Sequence, residues 1–316
     1  MNKARREIIP VFFAVDDNYI PYLAVAIRSL IDNASDRFEY RIHVLIDELS
    51  EANKEILMSM QTENVTLEFN NVAFKLKSLC KRLHLRDYYT KATYYRFFVP
   101  EMFPEYRRGI YLDCDLVLNA DVSELYSAIS GRNLLAAIPD EIITDIDVFS
   151  VYSELVLGIP KYKYFNAGVL VMNLAEMRRM RIEERFAELL GERTYRVAQD
   201  QDYLNVLCRD RVTYLNKYWN KTPMPDSDES IIPEITHYKI NYKPWKFDGV
   251  PYSEHFWKYA ERTPFYEYLK DFKANYTDGE RARDIAQYDG LVCIAEQEIE
   301  DAVCAELSIA LCAEAI

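Results

Sequence analysis

Residues 8–69 alternate between two hydrophobic periods, and this alternation narrows the choice of folds more than any other feature of the chain. Ile8 to Val15 is a β-rich run that closes on Asp16-Asp17-Asn18-Tyr19. Leu23, Ala26, Ile27, Leu30 and Ile31 then recur at helical spacing, with Pro21 in the first turn where proline is tolerated. Tyr40, Ile42, Val44 and Ile46 alternate as a second strand. Ser50 opens a helix carrying Ile56, Leu57 and Met60, and Val65 to Phe69 reads as a third strand. Strand and helix in strict succession predict an α/β fold with a mainly parallel central sheet flanked by helices. In such sheets ligands bind at the carboxyl ends of the strands.

The stretch Gly109 to Leu118 is an apolar run interrupted by two acids, Asp113 and Asp115. Its length and its boundaries at Gly109 and Asn119 predict one buried strand, with both acids on one side and Cys114 on the other. Two carboxylates converging beside an apolar sheet repel unless a cation lies between them. A divalent metal holding a phosphate answers that need. A structural turn also places aspartates at strand ends, so an Asp-x-Asp pair on its own stays a hypothesis.

Further along, Ala92 to Val99 is predicted helical up to Pro100 and carries Arg96, whose plainest role is a surface charge. Leu134 to Ile138 is a short strand ending at Asp140, and residues 141–160 lack strong periodicity. Tyr164 to Asn173 is a second buried strand, whose Asn166 needs hydrogen-bond partners. One helix is expected over Leu174 to Leu189, its arginines balanced by glutamates on a solvated face. Gln199-Asp200-Gln201-Asp202 opens the next helix, where acids favour the positive end of the dipole. Val212 to Leu215 and Ile235 to Tyr238 are short strands on either side of a proline-rich acidic loop, and residues 254–270 form an aromatic-rich helix. The tail from Leu291 to Ile316 is acidic and helical in spacing, packed on the domain or on a second chain.

Half of the 316 residues are hydrophobic, which gives a sizeable core and excludes a disordered chain. The net charge of −13 argues against nucleic acid as a partner, so any anionic ligand needs a local positive site. No apolar run approaches the ~18 residues that span a bilayer, and no signal peptide is read at the start. Six cysteines without paired spacing suit reduced thiols in a cytosol. Most of the 25 tyrosines are expected in the core.

Taken in order, the strand ending Asp16-Asp17-Asn18-Tyr19, then Asp113-Cys114-Asp115, Phe165-Asn166-Ala167-Gly168-Val169, Gln199-Asp200-Gln201-Asp202 and His237-Tyr238 before Lys243-Pro244-Trp245 resemble glycosyltransferase family 8 over about residues 8–250. The resemblance implies a GT-A nucleotide-sugar transferase domain over residues 1–250, with 251–316 as a C-terminal helical extension. It implies retaining transfer of glucose or galactose from UDP-glucose or UDP-galactose to a glycan or glycolipid acceptor, with Mn²⁺ as cofactor and Mg²⁺ as the alternative ion. By position Asp113, Asp115 and His237 correspond to the metal ligands, a donor set that suits manganese. Ala14, Asp16, Asn18 and Tyr19 correspond to the uridine pocket, with Cys114 counted among the donor-binding residues. Lys243 corresponds to the diphosphate lysine. Arg96, Asn166, Asp200 and Gln201 correspond to positions that hold the hexose.

The residues implied in catalysis are Gln201, Asp202 and Asp140. Asp202 is the better protein nucleophile. Gln201 better serves to stabilise a cationic sugar during same-face attack, and Asp140 faces the acceptor. Two departures from the family stand out. Ile240 occupies a position where many members have glycine, and Tyr88 replaces a diphosphate-contacting histidine of one branch. The acidic tail also departs from the basic tails that dock some members on membranes, since an anionic surface repels it; peripheral contact with the inner membrane face and dimerisation through the last helix stay open. The competing readings are a non-catalytic UDP-sugar or glycan binder of the same fold, favoured by Ile240, and an Asp-x-Asp phosphohydrolase. The latter expects its pair near the N-terminus with Thr or Gly after it, and neither holds here.

Overall fold

A computed structural model describes residues 6–77, 79, 91–129 and 131–314. Cys80 and Tyr88 lie outside the described residues. The strands are β1 (Glu7–Ala14), β2 (Phe38–Ile46), β3 (Val65–Asn71), β4 (Gly109–Leu112), β5 (Leu116–Leu118), β6 (Leu135–Pro139), β7 (Phe165–Met172), β8 (Val212–Tyr214) and β9 (Ile235–His237). Seven form one sheet in the order β3-β2-β1-β4-β7-β6-β8, and β5 pairs with β9 apart from it. The principal helices are α1 (Ile20–Asn33), α2 (Glu51–Met58), α3 (Asp147–Leu155), α4 (Ile182–Glu192), α5 (Asp200–Cys208), α6 (Ser253–Ala260), α7 (Tyr266–Asn275) and α8 (Asp278–Glu314).

The sheet is covered on both faces, as an unbroken apolar strand requires. Along β1, Ile9, Val11 and Phe13 enter one core and Phe12 enters the other. Each such fully buried side chain contributes about 1.5–3 kcal/mol relative to exposure. The predicted α1 and α2 form where their spacing places them. Pro21 sits in the first turn of α1, and the Ser50 hydroxyl accepts from the Asn53 amide at the start of α2.

Two features of topology create the site. β1, β2, β3 and β4 run parallel, but β7 is antiparallel to β4. The first residues of β7 therefore lie beside the carboxyl end of β4, with the Asp113 amide donating to the Gly168 carbonyl at 2.8 Å. The second feature corrects the expectation of one strand over Gly109 to Leu118. The chain leaves the main sheet after Leu112 and resumes as β5, and the two acids occupy the break. Alternation along a strand therefore does not orient Asp113 and Asp115. β5 pairs antiparallel with β9, setting Leu116 against His237, and the Tyr238 amide donates to the Asp115 carbonyl at 2.9 Å.

Other segments differ in detail. Pro100 does not end a helix: Lys91–Phe97 is a 3₁₀ segment, and Pro100 lies in the first turn of a short helix, Val99–Met102. The helix expected over 174–189 breaks at Arg181, whose φ of 53° is left-handed. Arg178 is not on a solvated face, because its guanidinium donates to the carbonyls of Pro100 and Tyr106. The helix expected over 254–270 is divided into α6 and α7 around Pro264, which lacks a donor for helix continuation. The C-terminal helix begins at Asp278, earlier than its periodicity suggests. Its Leu291, Val292, Ala295 and Ile299 pack on the domain's own core.

Candidate active site

The break between β4 and β5 brings Asp113 and Asp115 to one place, and β9 delivers His237 to them. One ligand atom from each of the three lies within 4.8 Å of the others. His237 Nε2 is 3.0 Å from Asp115 Oδ1 and 3.8 Å from Asp113 Oδ2. Its Nδ1 meets the Asn220 carboxamide oxygen at 2.8 Å. That oxygen only accepts, so Nδ1 carries a hydrogen and Nε2 is the ring nitrogen that faces the acids, where its lone pair is available to a bound cation. This is the second partner that a ligating histidine needs. Gly168 leaves the room: a β-carbon there would collide with the imidazole Cε1 of His237 and crowd Asp113 Oδ2. Two carboxylate oxygens and one oriented imidazole fit a divalent cation.

The protein supplies its own charges against the carboxylates. Arg96 is buried, donates to Asp113 Oδ1 at 3.0 Å and meets Asp200 Oδ2 at 3.1 Å. It also lies over the Tyr111 ring at 4.4 Å. A buried charge held this way is not the surface cation that its sequence context suggests. Burial opposes its charge, but Asp113 and Asp200 outweigh burial and raise its pKa. Lys243 is buried and rests its ammonium on Asp115 and on the Tyr238 carbonyl. Burial disfavours the Asp115 charge, yet Lys243 and His237 outweigh it and hold its carboxyl well below the usual range. Repulsion between the two acids is thus relieved by Arg96 and Lys243 as well as being suited to a metal.

Two cavities meet at the acids. One is lined by Ala14, Asp16, Tyr19, Thr93 and Cys114, the other by Asp140, Asn166, Asp200, Gln201 and Lys239, and both share Arg96, Asp113 and Asp115. Asn18 is exposed and lines neither; its amide donates to Asp16 Oδ1 at 3.0 Å. The Cys114 thiol lies against the Ala14 carbonyl at 3.3 Å. In the second cavity Asn166 donates to Asp140 Oδ2 at 2.8 Å and to Gln201 Oε1 at 2.9 Å. Gln201 Oε1 also accepts from the Ala167 amide at 2.9 Å, so both lone pairs are engaged. Burial opposes the Asp140 charge, but Lys239 and the hydrogen bonds from Asn166 and the Ile142 amide hold its pKa below the usual value.

Burial pushes Asp200 up to about 7 despite Arg96. Asp202 is fully buried and lines neither cavity. Its oxygens accept from Tyr164 at 2.6 Å, Tyr152 at 2.9 Å and the Ala198 amide at 2.8 Å. Burial pushes it up to about 6 against those donors. Tyr164 in turn accepts from Gln201 Nε2 at 3.2 Å, so among the described residues a tyrosine links the Asp202 carboxylate to the Gln201 side chain in the cavity. Gln199, just before α5, holds a φ of 47° with its buried carboxamide unpartnered among the described residues.

The Ile240 position has a clear geometry. Its φ of 55° is left-handed, the conformation that glycine adopts at low cost, and its side chain lines the second cavity. The loop keeps the path a glycine would allow, at about 1–2 kcal/mol of backbone strain. Sequence reasoning gave no individual role in the site to Asn220, Gly168, Lys239, Tyr152 or Tyr164. Only Gly168 carried a signal, as the glycine of a buried strand, which marks close approach.

Residues 10–249 match the family described as Glycosyl transferase family 8. The chain belongs to glycosyl transferase family 8. It is similar to the solved galactosyltransferase LgtC in complex with donor and acceptor sugar analogs, at 27% identity and a TM-score of 0.69, covering 81% of this chain and 96% of that one. A Haemophilus influenzae protein named as a glycosyltransferase is 29% identical over 219 residues, 67% of this chain and 63% of its own length. The lipopolysaccharide 1,2-glucosyltransferase of Escherichia coli is 26% identical over 225 residues, 68% of this chain and 63% of its own length. The chain thus spans under two thirds of both curated relatives. Its architecture is the GT-A fold shared with this galactosyltransferase, with a mostly parallel central sheet, flanking helices and a C-terminal helix. Among the described residues, no helix is long and apolar enough to cross a membrane.

Proposed function

We propose that the protein transfers a hexose, glucose or galactose, from a UDP-sugar to a glycan or glycolipid acceptor with retention of configuration, aided by Mn²⁺ or Mg²⁺ held by Asp113, Asp115 and His237. The observation that carries this reading is the meeting of two cavities at Asp113 and Asp115. A nucleoside diphosphate sugar has the matching three parts. The cavity of Asp16 and Tyr19 suits the base and ribose, the shared acids and Lys243 suit the diphosphate, and the polar cavity beyond suits the sugar. The similarity to a galactosyltransferase and to a glucosyltransferase supports a hexose as the transferred group. When bound, a divalent cation at this site supplies positive charge for the UDP that departs.

The chain's own residues do the rest. Lys243, buried against Asp115 and lining neither cavity, brings a compact positive charge behind the acids that offsets the charge of a diphosphate held there. Asn166 and Asp140, tied to one another and to Gln201, present fixed polar atoms to sugar hydroxyls. The engaged lone pairs of Gln201 and the enclosure of Asp202 favour attack by the acceptor from the face that UDP leaves. Gln201 then serves as a dipole beside the cationic sugar, and Asp202 as the group that positions Gln201 through Tyr164. The rival reading as a non-catalytic binder rested on Ile240. Its left-handed backbone keeps the loop path and weakens that objection.

The test is incubation with UDP-glucose or UDP-galactose and Mn²⁺. Steady release of UDP is expected. Tight binding of the UDP-sugar without turnover across a range of glycan acceptors would favour the binder, and phosphate release from a monoester would favour the phosphohydrolase.

A further inference from the structure

Lys239 stands apart from the other cations of the site. It is 9% exposed and lines the second cavity beside Ile240, yet no acceptor among the described residues lies within hydrogen-bond reach of its ammonium. The nearest opposite charge is Asp140 Oδ1 at 3.9 Å, too far for a hydrogen bond and near enough to balance the charge. Among the described residues Asp140 Oδ1 accepts from the Ile142 amide alone, at 2.9 Å, while Oδ2 is taken by Asn166 and Gln201. A buried ammonium has three donors, and leaving them unmade is costly.

Building on the UDP-sugar reading above, we propose that Lys239 and Asp140 form a divided ion pair that recognises one hydroxyl of the transferred hexose. A hydroxyl seated in the gap accepts from the Lys239 ammonium and donates to the free lone pair of Asp140 Oδ1. Both bonds are charge-assisted, and one neutral group satisfies two opposite charges. The pair selects against a carboxylate at that position, which would face Asp140 with no proton to give, and against a deoxy carbon, which would leave both charges buried without a partner. This assignment moves Asp140 from the acceptor, where its place in the sequence put it, to the donor sugar: its Oδ2 is tied to Asn166 and Gln201, and the gap opens among Asn166, Gln201 and Asp200, across the shared acids from the base-and-ribose cavity. Lys239 is therefore a specificity-determining residue for the donor sugar.

The test compares the full chain with Lys239→Met, which keeps the length and apolar contacts of the stem. UDP binding with Mn²⁺, read by calorimetry, is expected to stay within about two-fold. Hydrolysis of UDP-glucose and UDP-galactose with water as acceptor is expected to fall at least about ten-fold, the loss of one charge-assisted hydrogen bond. In a series of monodeoxy UDP-hexoses, one position should be strongly disfavoured by the wild type and not by the variant. Lys239→Gln, which keeps a neutral donor, should recover part of the rate, and it carries the same comparison should the methionine variant unfold. Hydrolysis within about two-fold of wild type, or unchanged deoxy penalties, would overturn the inference while leaving the transferase reading intact. A wild type that binds neither UDP nor UDP-hexose with Mn²⁺ would remove that reading, and this inference with it.

Discussion

Gly168 and His237 occupy adjoining space so closely that a single added carbon on Gly168 would strike the imidazole. The glycine sits in β7 and the histidine ends β9, in separate sheets, yet their contact sets how near His237 approaches the two acids.

Gly168→Ala should therefore damage metal binding more than the fold. The imidazole or Asp113 must shift, because the colliding atoms belong to side chains. The expected result is a loss of Mn²⁺ affinity of about ten-fold or more, read from free Mn²⁺ by electron paramagnetic resonance. Far-ultraviolet circular dichroism should stay unchanged.

Asn220 should behave as a partner of the metal site although it touches no ligand atom of the acids. Its oxygen fixes the hydrogen on His237 Nδ1, and its amide donates to Asn166 Oδ1 at 2.9 Å. Asn220→Ala is expected to lower Mn²⁺ affinity or transfer rate by about 10–100-fold, the usual effect of removing such a partner. Equal affinity in the variant would mean that His237 needs no orienting group.

Much of this site was legible in the sequence, and the parts that were not share a physical cause. Asp113, Asp115 and His237 are chemically conspicuous, and the period of residues 8–69 announces a parallel sheet. The interruption of the strand at the acids was hidden, because an apolar run reads the same whether it stays in one sheet or crosses to another. The antiparallel setting of β7 was hidden as well, since direction leaves no trace in composition. Asn220 lay in a proline-rich segment with no periodicity to orient it. Lys239 carries no signal in the sequence, and the packing of Asp140 and the second cavity gives it a role. The tyrosines around Asp202 read correctly as core, but their hydroxyls tie that core to Gln201.

Asp202 should leave a signature in the pH dependence of stability. Its folded pKa of about 6 lies above the ordinary aspartate value of 3.8, so the folded state binds the proton more tightly. The stability it contributes is fully present below about pH 4 and is lost as pH rises through about 6. Asp202→Asn cannot ionise, so the stability of wild type relative to this variant should fall by about 3 kcal/mol across that window. Urea unfolding of both proteins at several pH values measures it. A constant difference would contradict the raised pKa.

Ile240→Gly should leave the fold at least nearly as stable as wild type. Relief of the left-handed strain is worth about 1–2 kcal/mol. Glycine's added freedom in the unfolded chain and the lost side-chain contacts act against it by a similar amount. A change in stability within about 1 kcal/mol is expected from urea unfolding, with UDP binding preserved. A loss of several kcal/mol would show that the Ile240 side chain holds the loop in place.

The central claim is that Asp113, Asp115 and His237 together hold the divalent cation through which the chain grips a nucleotide diphosphate. Calorimetric titration of UDP into the protein, with Mn²⁺ and then with excess EDTA, tests it most directly. The account predicts binding with Mn²⁺, at least about ten-fold weaker binding in EDTA, and no gain from Mn²⁺ in Asp115→Asn. UDP affinity that is the same with Mn²⁺ and with EDTA would contradict it.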